Sequence, residues 1–411
     1  MKTLSFRFLT ATVLTGVAAG AGGVALTLLL HLVQHLAFGY TEASFLTGVE
    51  RASPLRRILA LGIGGLVVGT GWWALRGRRP DVPTVEKVLA GRSGRMPTPS
   101  VSADAALQIV AVGSGASLGR EGAPRQLGAA FAGWLSERLD LDPAQRRTML
   151  ACGAGAGLAS VYNVPLGGAL FTLEVLLASA AVRDVVPALL SSTVATVVAW
   201  PVLSSLPIYA VPSIALHPIV LLFAALLGPI AGLTGRLFLA AVTWARTLAP
   251  RGRRLPIAMA AVFTCLGAMA IGYPQLPGNG KGLAQLAFDG SVGVGTLLAV
   301  LILKPVVTAA CLASGARGGL LTPSLATGAV LGALAGLGWS AIWPGQPVAG
   351  FALLGAAATL ATTMRAPLCA MMLVLEFTHT GLELLAPMAI CVAGAICTGA
   401  VLDRSAKAAR T

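Results

Sequence analysis

The most chemically loaded stretch of this sequence is Gly119-Arg120-Glu121-Gly122, where a carboxylate stands among apolar residues three positions ahead of Pro124. An ionised side chain at membrane depth costs at least about 2.5–3.5 kcal/mol unless it is paired or protonated. Three further stretches share the layout of small residues, a proline and then an apolar run. They are Asn163-Val164-Pro165, Leu321-Thr322-Pro323 and Arg365-Ala366-Pro367. Proline belongs in the first turn of a helix, so each stretch marks a helix start. Helix starts carry free N–H groups and about half a positive charge. Aimed at one point, they solvate an anion without a fixed cation, and a site free of lysine and arginine lets that anion leave again. Glu121 at such a point would compete with the anion, and once protonated it could swing aside. The plainer alternatives are an ordinary helix start for each proline and a structural ion pair of Glu121 with Arg120 or Arg125.

Elements able to hold these residues are written in the composition. The chain has 411 residues, 56% hydrophobic and only 11% charged, against about 25% charged in soluble domains. Apolar stretches fill 10–36, 58–75, 105–118, 185–206, 214–245, 256–272 and 292–314. Several exceed the roughly 20 residues that span a bilayer. An all-α integral membrane protein follows, with membrane lipid as its surroundings. Lys2 and Arg7 lead into an apolar run too long for a signal peptide, so residues 1–30 read as a first membrane helix with a cytoplasmic N-terminus.

The net charge is +14. Basic residues gather at Arg51–Arg57, Arg76–Arg79, Arg92–Arg95, Arg146–Arg147, Arg246–Arg254 and Arg404–Arg410. These connect apolar runs and read as cytoplasmic loops under the positive-inside rule, which places both termini in the cytoplasm. The densest cluster, Arg246–Arg254, could also rest against anionic lipid. No compact basic domain exists, so nucleic acid is set aside as a partner.

The halves of the chain echo each other at an offset of about 200 residues. GAGAGLASVYNVPLGGALFTLEV at 153–175 parallels GAAATLATTMRAPLCAMMLVLEF at 355–377, and Gly119 and Gly128 parallel Gly319 and Gly328. The expected organisation is one transmembrane domain over 1–411 in two pseudo-symmetric halves, about 1–206 and 207–411, without a soluble regulatory domain. Repeats of this kind place the substrate at their interface near the bilayer midplane. Chance similarity of two Gly/Ala-rich segments is the alternative.

Glu174 and Glu376 occupy matched repeat positions, which favours a buried structural hydrogen bond to a helix end. Lys304 lies within an apolar run and needs a partner that the sequence does not name. The six cysteines, Cys152, Cys265, Cys311, Cys369, Cys391 and Cys397, read as small buried hydrophobes. His31 and His35 lack a third ligand and read as a helix-end pair, so no metal is expected.

These motifs resemble the CLC family of chloride channels and proton-coupled chloride transporters. The resemblance is carried by GREGAPRQLG at 119–128, by both repeat segments, by ASGARGGLLTPSLATGAVLG at 313–332 and by GNGKGLAQLAF at 278–288. It implies a CLC-type inverted repeat of many tilted and partial helices and a homodimer in the cell inner membrane. It also implies one anion pathway per subunit, carrying bound chloride or another halide and no further cofactor. Glu121 would be the gating glutamate. The backbone N–H groups of Arg120, Glu121, Gly122, Leu320 and Leu321 would line the path, with Gly119 and Gly319 beside them. Glu121 and Glu174 would form a proton path if protons are exchanged.

The sequence departs from the family pattern in three places. The stretch matching the family's serine-bearing filter motif is Arg79-Pro80-Asp81-Val82-Pro83, the central C-terminal tyrosine has no counterpart, and GREGP is GREGA. Two hydroxyls around the central anion are therefore expected to be missing. The inner proton glutamate of many exchangers falls at Val175, which tilts the reading toward passive, channel-like flow, with a proton-coupled chloride or fluoride antiporter as the alternative. An intramembrane enzyme is the remote reading; neither an H-E-x-x-H motif nor a Ser/His/Asp set is present, so no enzymatic activity is expected.

Overall fold

The computed structural model describes residues 5–41, 44–78, 82–212 and 217–408. The first half contains α1 (Phe6–Phe38), α2 (Phe45–Arg51), α3 (Pro54–Arg78), α4 (Val85–Leu89), α5 (Thr98–Gly113), α6 (Gly122–Arg138), α7 (Pro143–Tyr162), α8 (Pro165–Leu170) and α9 (Val182–Leu203). A π-helical stretch, Phe171–Leu177, continues α8. The second half contains α10 (Val220–Thr247), α11 (Arg254–Gly272), α12 (Lys281–Asp289), α13 (Val294–Ala313), α14 (Leu321–Ile342), α15 (Val348–Met364), α16 (Pro367–Thr378) and α17 (Leu385–Ala408). The protein is an all-α inverted repeat of tilted and partial helices. Among the described residues, eight helices are long and apolar enough to cross a membrane. Their outward faces carry residues such as Leu237 and Ile302, 62% and 67% exposed, as a lipid-facing surface requires and an aqueous one penalises.

Small residues bring the helices together. A Cβ on Gly128 in α6 would collide with the Gly153 carbonyl in α7, and a Cβ on Gly328 in α14 would collide with the Gly355 carbonyl in α15. The sequence echo is thus one packing contact made twice, by backbones that approach because nothing larger intervenes.

The basic clusters do not all share one face. In α3 and α11, Gly69 packs on Pro256, Gly65 on Met259 and Gly267 on Arg57 and Ile58, so the two helices run antiparallel. The Arg76 end of α3 therefore lies beside Arg254, and Arg51, Arg56 and Arg57 lie at the opposite end of a 25-residue helix. That helix is about 37 Å long, enough to separate two membrane faces. The assignment of Arg51–Arg57 to the same face as the other clusters is thereby corrected. Arg56 and Arg57 serve instead as helix-end donors. Arg56 donates to Leu36 O at 3.1 Å and Ala37 O at 3.0 Å at the end of α1. Arg57 donates to Ala270 O at 2.7 Å at the end of α11. Cations at these ends satisfy orphan carbonyls and complement the helix dipole.

Lys304 is fully buried, and its Nζ donates to Leu276 O and Gly278 O, both at 2.9 Å. Its partners are carbonyls that no side-chain pattern could reveal. Cys265 and Cys397 are exposed, on α11 and α17, which corrects their reading as buried; the other four cysteines are buried.

Candidate functional site

The two halves meet at a backbone clasp. Gly119 N donates to Gly319 O and Gly319 N to Gly119 O, each at 2.8 Å. Their N–H groups are spent on each other, which removes Gly119 and Gly319 from the N–H groups open to an anion. The clasp sets the starts of α6 and α14 side by side. Both helices have proline at the third position, Pro124 and Pro323, and the first intrahelical bonds are Arg125 N to Glu121 O and Ser324 N to Leu320 O. Ahead of those bonds, the N–H groups of each first turn have no intrahelical acceptor.

Glu121, the N-cap residue of α6, is 1% exposed. Its Oε1 accepts from Leu321 N at 2.8 Å, and its Oε2 accepts from the Tyr162 hydroxyl at 3.1 Å. The tyrosine oxygen also lies 2.8 Å from Thr322 Oγ1. With the phenol proton committed to Glu121, Thr322 is the donor of that second bond. A carboxylate of the chain therefore occupies the place where two helix starts converge. The arginines suspected of pairing with Glu121 point elsewhere: Arg120 donates to Val161 O at 2.8 Å, and Arg125 binds Glu86 Oε1 at 2.6 Å.

The four proline-marked helix starts do not share one task. Those of α6 and α14 converge at Glu121. The start of α8 is capped by Glu376, whose carboxylate accepts from Leu166 N at 2.9 Å and Gly167 N at 2.6 Å. The start of α16 is capped by Glu174, which accepts from Leu368 N at 3.2 Å and Cys369 N at 2.7 Å. Each repeat thus supplies the carboxylate that caps the other, and these two pairs bind protein rather than a passing ion. Both oxygens of Glu174 are engaged, and it does not line the cavity at Glu121.

A partly open cavity of about 210 Å³ is lined by Glu121, Leu320 and Leu321, by Glu86 and Arg125, and by Val175. Ser324 and Thr363 also line it, and Thr363 Oγ1 donates to Ser324 Oγ at 3.1 Å. Ser324 Oγ in turn donates to Leu321 O at 2.9 Å, so the protons of both hydroxyls are held by protein acceptors. Glu86, Arg125 and Leu320 also line a second, wider cavity of about 660 Å³ with Arg76, Lys87, Arg246 and Arg317. An electropositive mouth of this kind concentrates anions. Arg79, Pro80 and Asp81 of the expected filter stretch lie outside the described residues. The following residue with a hydroxyl, Thr84, caps its own helix by accepting from Lys87 N at 3.4 Å.

Asp104 fixes the loop that delivers Gly319. It is fully buried and accepts from Trp72 Nε1 at 2.9 Å, Gln108 Nε2 at 2.8 Å and Arg317 Nη1 at 3.2 Å. Sequence reading missed Asp104, Glu86 and Tyr162. For Tyr162 a signal existed: its repeat counterpart is Met364, so a polar ring stands where the other half has a thioether.

Residues 64–400 match the sequence model of the family described as "Voltage gated chloride channel". A putative chloride channel protein ClcB-like from Ralstonia nicotianae is 33% identical over 362 residues, 79% of this chain and 82% of that one. An H(+)/Cl(−) exchange transporter ClcA from Cronobacter sakazakii is 33% identical over 305 residues, 69% of this chain and 63% of that one. Among solved structures, a slow cyanobacterial Cl−/H+ antiporter superposes with a TM-score of 0.85 at 21% identity, over 97% of this chain and 95% of that one.

Proposed function

Because this chain belongs to the voltage-gated chloride channel family, we propose that its anion pathway carries chloride foremost and is gated by Glu121. The observation that supports this is the bond from Leu321 N to Glu121 Oε1 at 2.8 Å. A group that accepts a hydrogen bond where two helix starts converge marks where a halide is solvated, because peptide dipoles do not distinguish a carboxylate from another small anion. Passage requires Glu121 to leave. Protonation removes its charge and weakens its hold on the N–H donor, so acid opens the path.

The pathway runs from the basic mouth, through the smaller cavity, to Glu121. Arg76, Arg254, Arg147 and Arg404 lie at one end of the helix bundle. The antiparallel packing of α3 on α11 and the parallel packing of α10 on α17, Gly228 on Cys391 and Gly232 on Ala395, support that placement. We assign that end to the cytoplasm, the side on which short loops accumulate Lys and Arg, with both termini there and the whole in the inner membrane. Two such chains form the homodimer expected of the family, which mass measurement in detergent tests. No bond is made or broken in this account, so the protein acts as a transporter and not as an enzyme.

The experiment is efflux from chloride-loaded liposomes with potassium and valinomycin balancing charge. Vesicles containing the protein lose chloride faster than empty vesicles, and equal rates contradict the proposal. Repeating the measurement with fluoride, nitrate and bromide gives the order of preference.

A further inference from the structure

The cavity beside Glu121 is lined by two carboxylates, and the second of them is not where the family resemblance puts one. Val175 faces the cavity from the π-helical stretch, and its neighbour Glu174 is spent on the start of α16. Glu86 also lines the cavity, from the five-residue α4, which is not among the membrane-crossing helices. Its side chain is 53% exposed, and it lines both the small cavity and the wide basic mouth. It is therefore the carboxylate that reaches the wide mouth and shares a cavity with Glu121. The cavity they share has about 210 Å³, more than a single water needs, so it has room for several waters.

We propose that Glu86 is the inner proton station of this protein, so that protons cross between the basic mouth and Glu121 by way of Glu86 and the water of the cavity. The inference rests on Glu121 being the gate. In the inward step a hydronium ion at the mouth gives its proton to a Glu86 carboxylate oxygen and leaves as water. The Glu86 O–H then breaks as its proton passes to the first cavity water, each water hands on one proton, and an O–H forms on Glu121. Glu86 returns to carboxylate, and neutral Glu121 releases the Leu321 N–H to the anion. One proton and no electron moves at each transfer, and no other reactant is needed.

Arg125 couples this step to the anion. Its guanidinium holds Glu86 at 2.6 Å and lies on the wall of both cavities. Crowding by protein pushes the Glu86 carboxyl up. The Arg125 charge, with hydrogen bonds from the Glu86 backbone and Thr84, outweighs that and holds it below the usual carboxylate range. Arg246, Lys87, Arg76 and Arg317 line the same wide cavity, with Arg317 paired to Asp104. An anion arriving in the cavity draws on Arg125 and weakens its hold on Glu86. The carboxylate then takes a proton more readily, so anion occupancy licenses proton uptake.

The test uses the full chain in liposomes, with chloride loss and external pH recorded together and protons moved per chloride as the readout. Wild type moves protons against their gradient when chloride runs down its own. Glu86→Gln lowers protons per chloride by about tenfold or more, the scale on which a positioned proton-transfer group acts, and Glu86→Asp restores most of it. Arg125→Gln breaks the same ion pair but keeps the carboxyl, so Glu86 takes a proton without waiting for an anion, and the ratio shifts without the tenfold loss of Glu86→Gln. An unchanged ratio in Glu86→Gln overturns the inference, and so does an equal fall in ratio in Arg125→Gln. Wild-type chloride flux that responds to Glu121→Gln but moves no protons overturns the inference alone. Absence of protein-dependent chloride flux overturns the transport reading beneath it.

Discussion

Gly119 and Gly319 exchange two backbone hydrogen bonds of 2.8 Å across the boundary between the repeats. They lie at matched places in the two halves, so one small two-sided clasp fixes where both helix starts point. The Glu121 carboxylate fills the space that a side chain on either glycine would need. The clasp, the two helix starts and the carboxylate are one unit, and disturbing any part of it tests the rest.

A methyl group placed on that clasp should dislodge the carboxylate. In Gly319→Ala the new Cβ meets Glu121, and overpacking of this kind costs about 1–3 kcal/mol. The variant is expected to lose thermal stability and to pass chloride at neutral pH faster than wild type. Unchanged melting and unchanged flux would show that Glu121 does not rest there.

Tyr162→Phe removes a single oxygen. It keeps the ring edge-on to Phe377 at 5.4 Å and deletes the hydroxyl that donates to Glu121 at 3.1 Å and contacts Thr322 at 2.8 Å. A hydrogen bond to a charged group contributes about 1.5–3 kcal/mol. Its loss should favour departure of Glu121 and raise chloride flux at neutral pH by about tenfold, the equivalent of 1.4 kcal/mol. Flux at or below the wild-type rate would place the phenol outside the gate.

The crossed caps predict a loss of stability. Glu174→Ala and Glu376→Ala each leave two N–H groups of a partly buried helix start without an acceptor, at about 1–3 kcal/mol per group. Melting in detergent should fall in both variants, by similar amounts because the two sites are copies. A Glu174 variant that melts like wild type yet loses proton movement would return Glu174 to the proton path.

Lys281 carries its own pH sign. Lys281, at the start of α12, lies outside the membrane-crossing helices. Crowding by protein and then the charge of Arg120 lower its pKa to about 8. The neighbouring Gly280 packs against Thr322 O, which brings Lys281 to the Tyr162 side of the gate. The ammonium is charged below about pH 8 and neutral above it, so its pull on anions weakens as pH rises. In a Glu121→Gln background, where the gate has no carboxylate, chloride uptake from that face should decline between about pH 7 and 9. Lys281→Met should abolish the decline; a decline that survives it assigns the effect to another group.

The parts of this architecture written in local pattern could be read from the sequence. Apolar runs gave the membrane class, Pro124 and Pro323 gave two helix starts, and the duplicated Glu174 and Glu376 announced a shared role. Contacts between elements distant in the chain could not be read that way. The carbonyl partners of Lys304 are backbone atoms and leave no trace in residue types. Glu86 meets Arg125 across 39 positions, and the proximity of Thr363 to Ser324 depends on how α14 packs on α15. The Arg56 and Arg57 caps show the opposite hazard: a cluster that looks like a topology signal is answering the needs of two helix ends.

The most direct test of the gate compares chloride efflux from liposomes across pH for wild type and Glu121→Gln. Wild-type efflux should climb by about tenfold or more as the gate is protonated, while the glutamine variant should run fast and flat. Coincidence of the two curves at every pH would contradict the account.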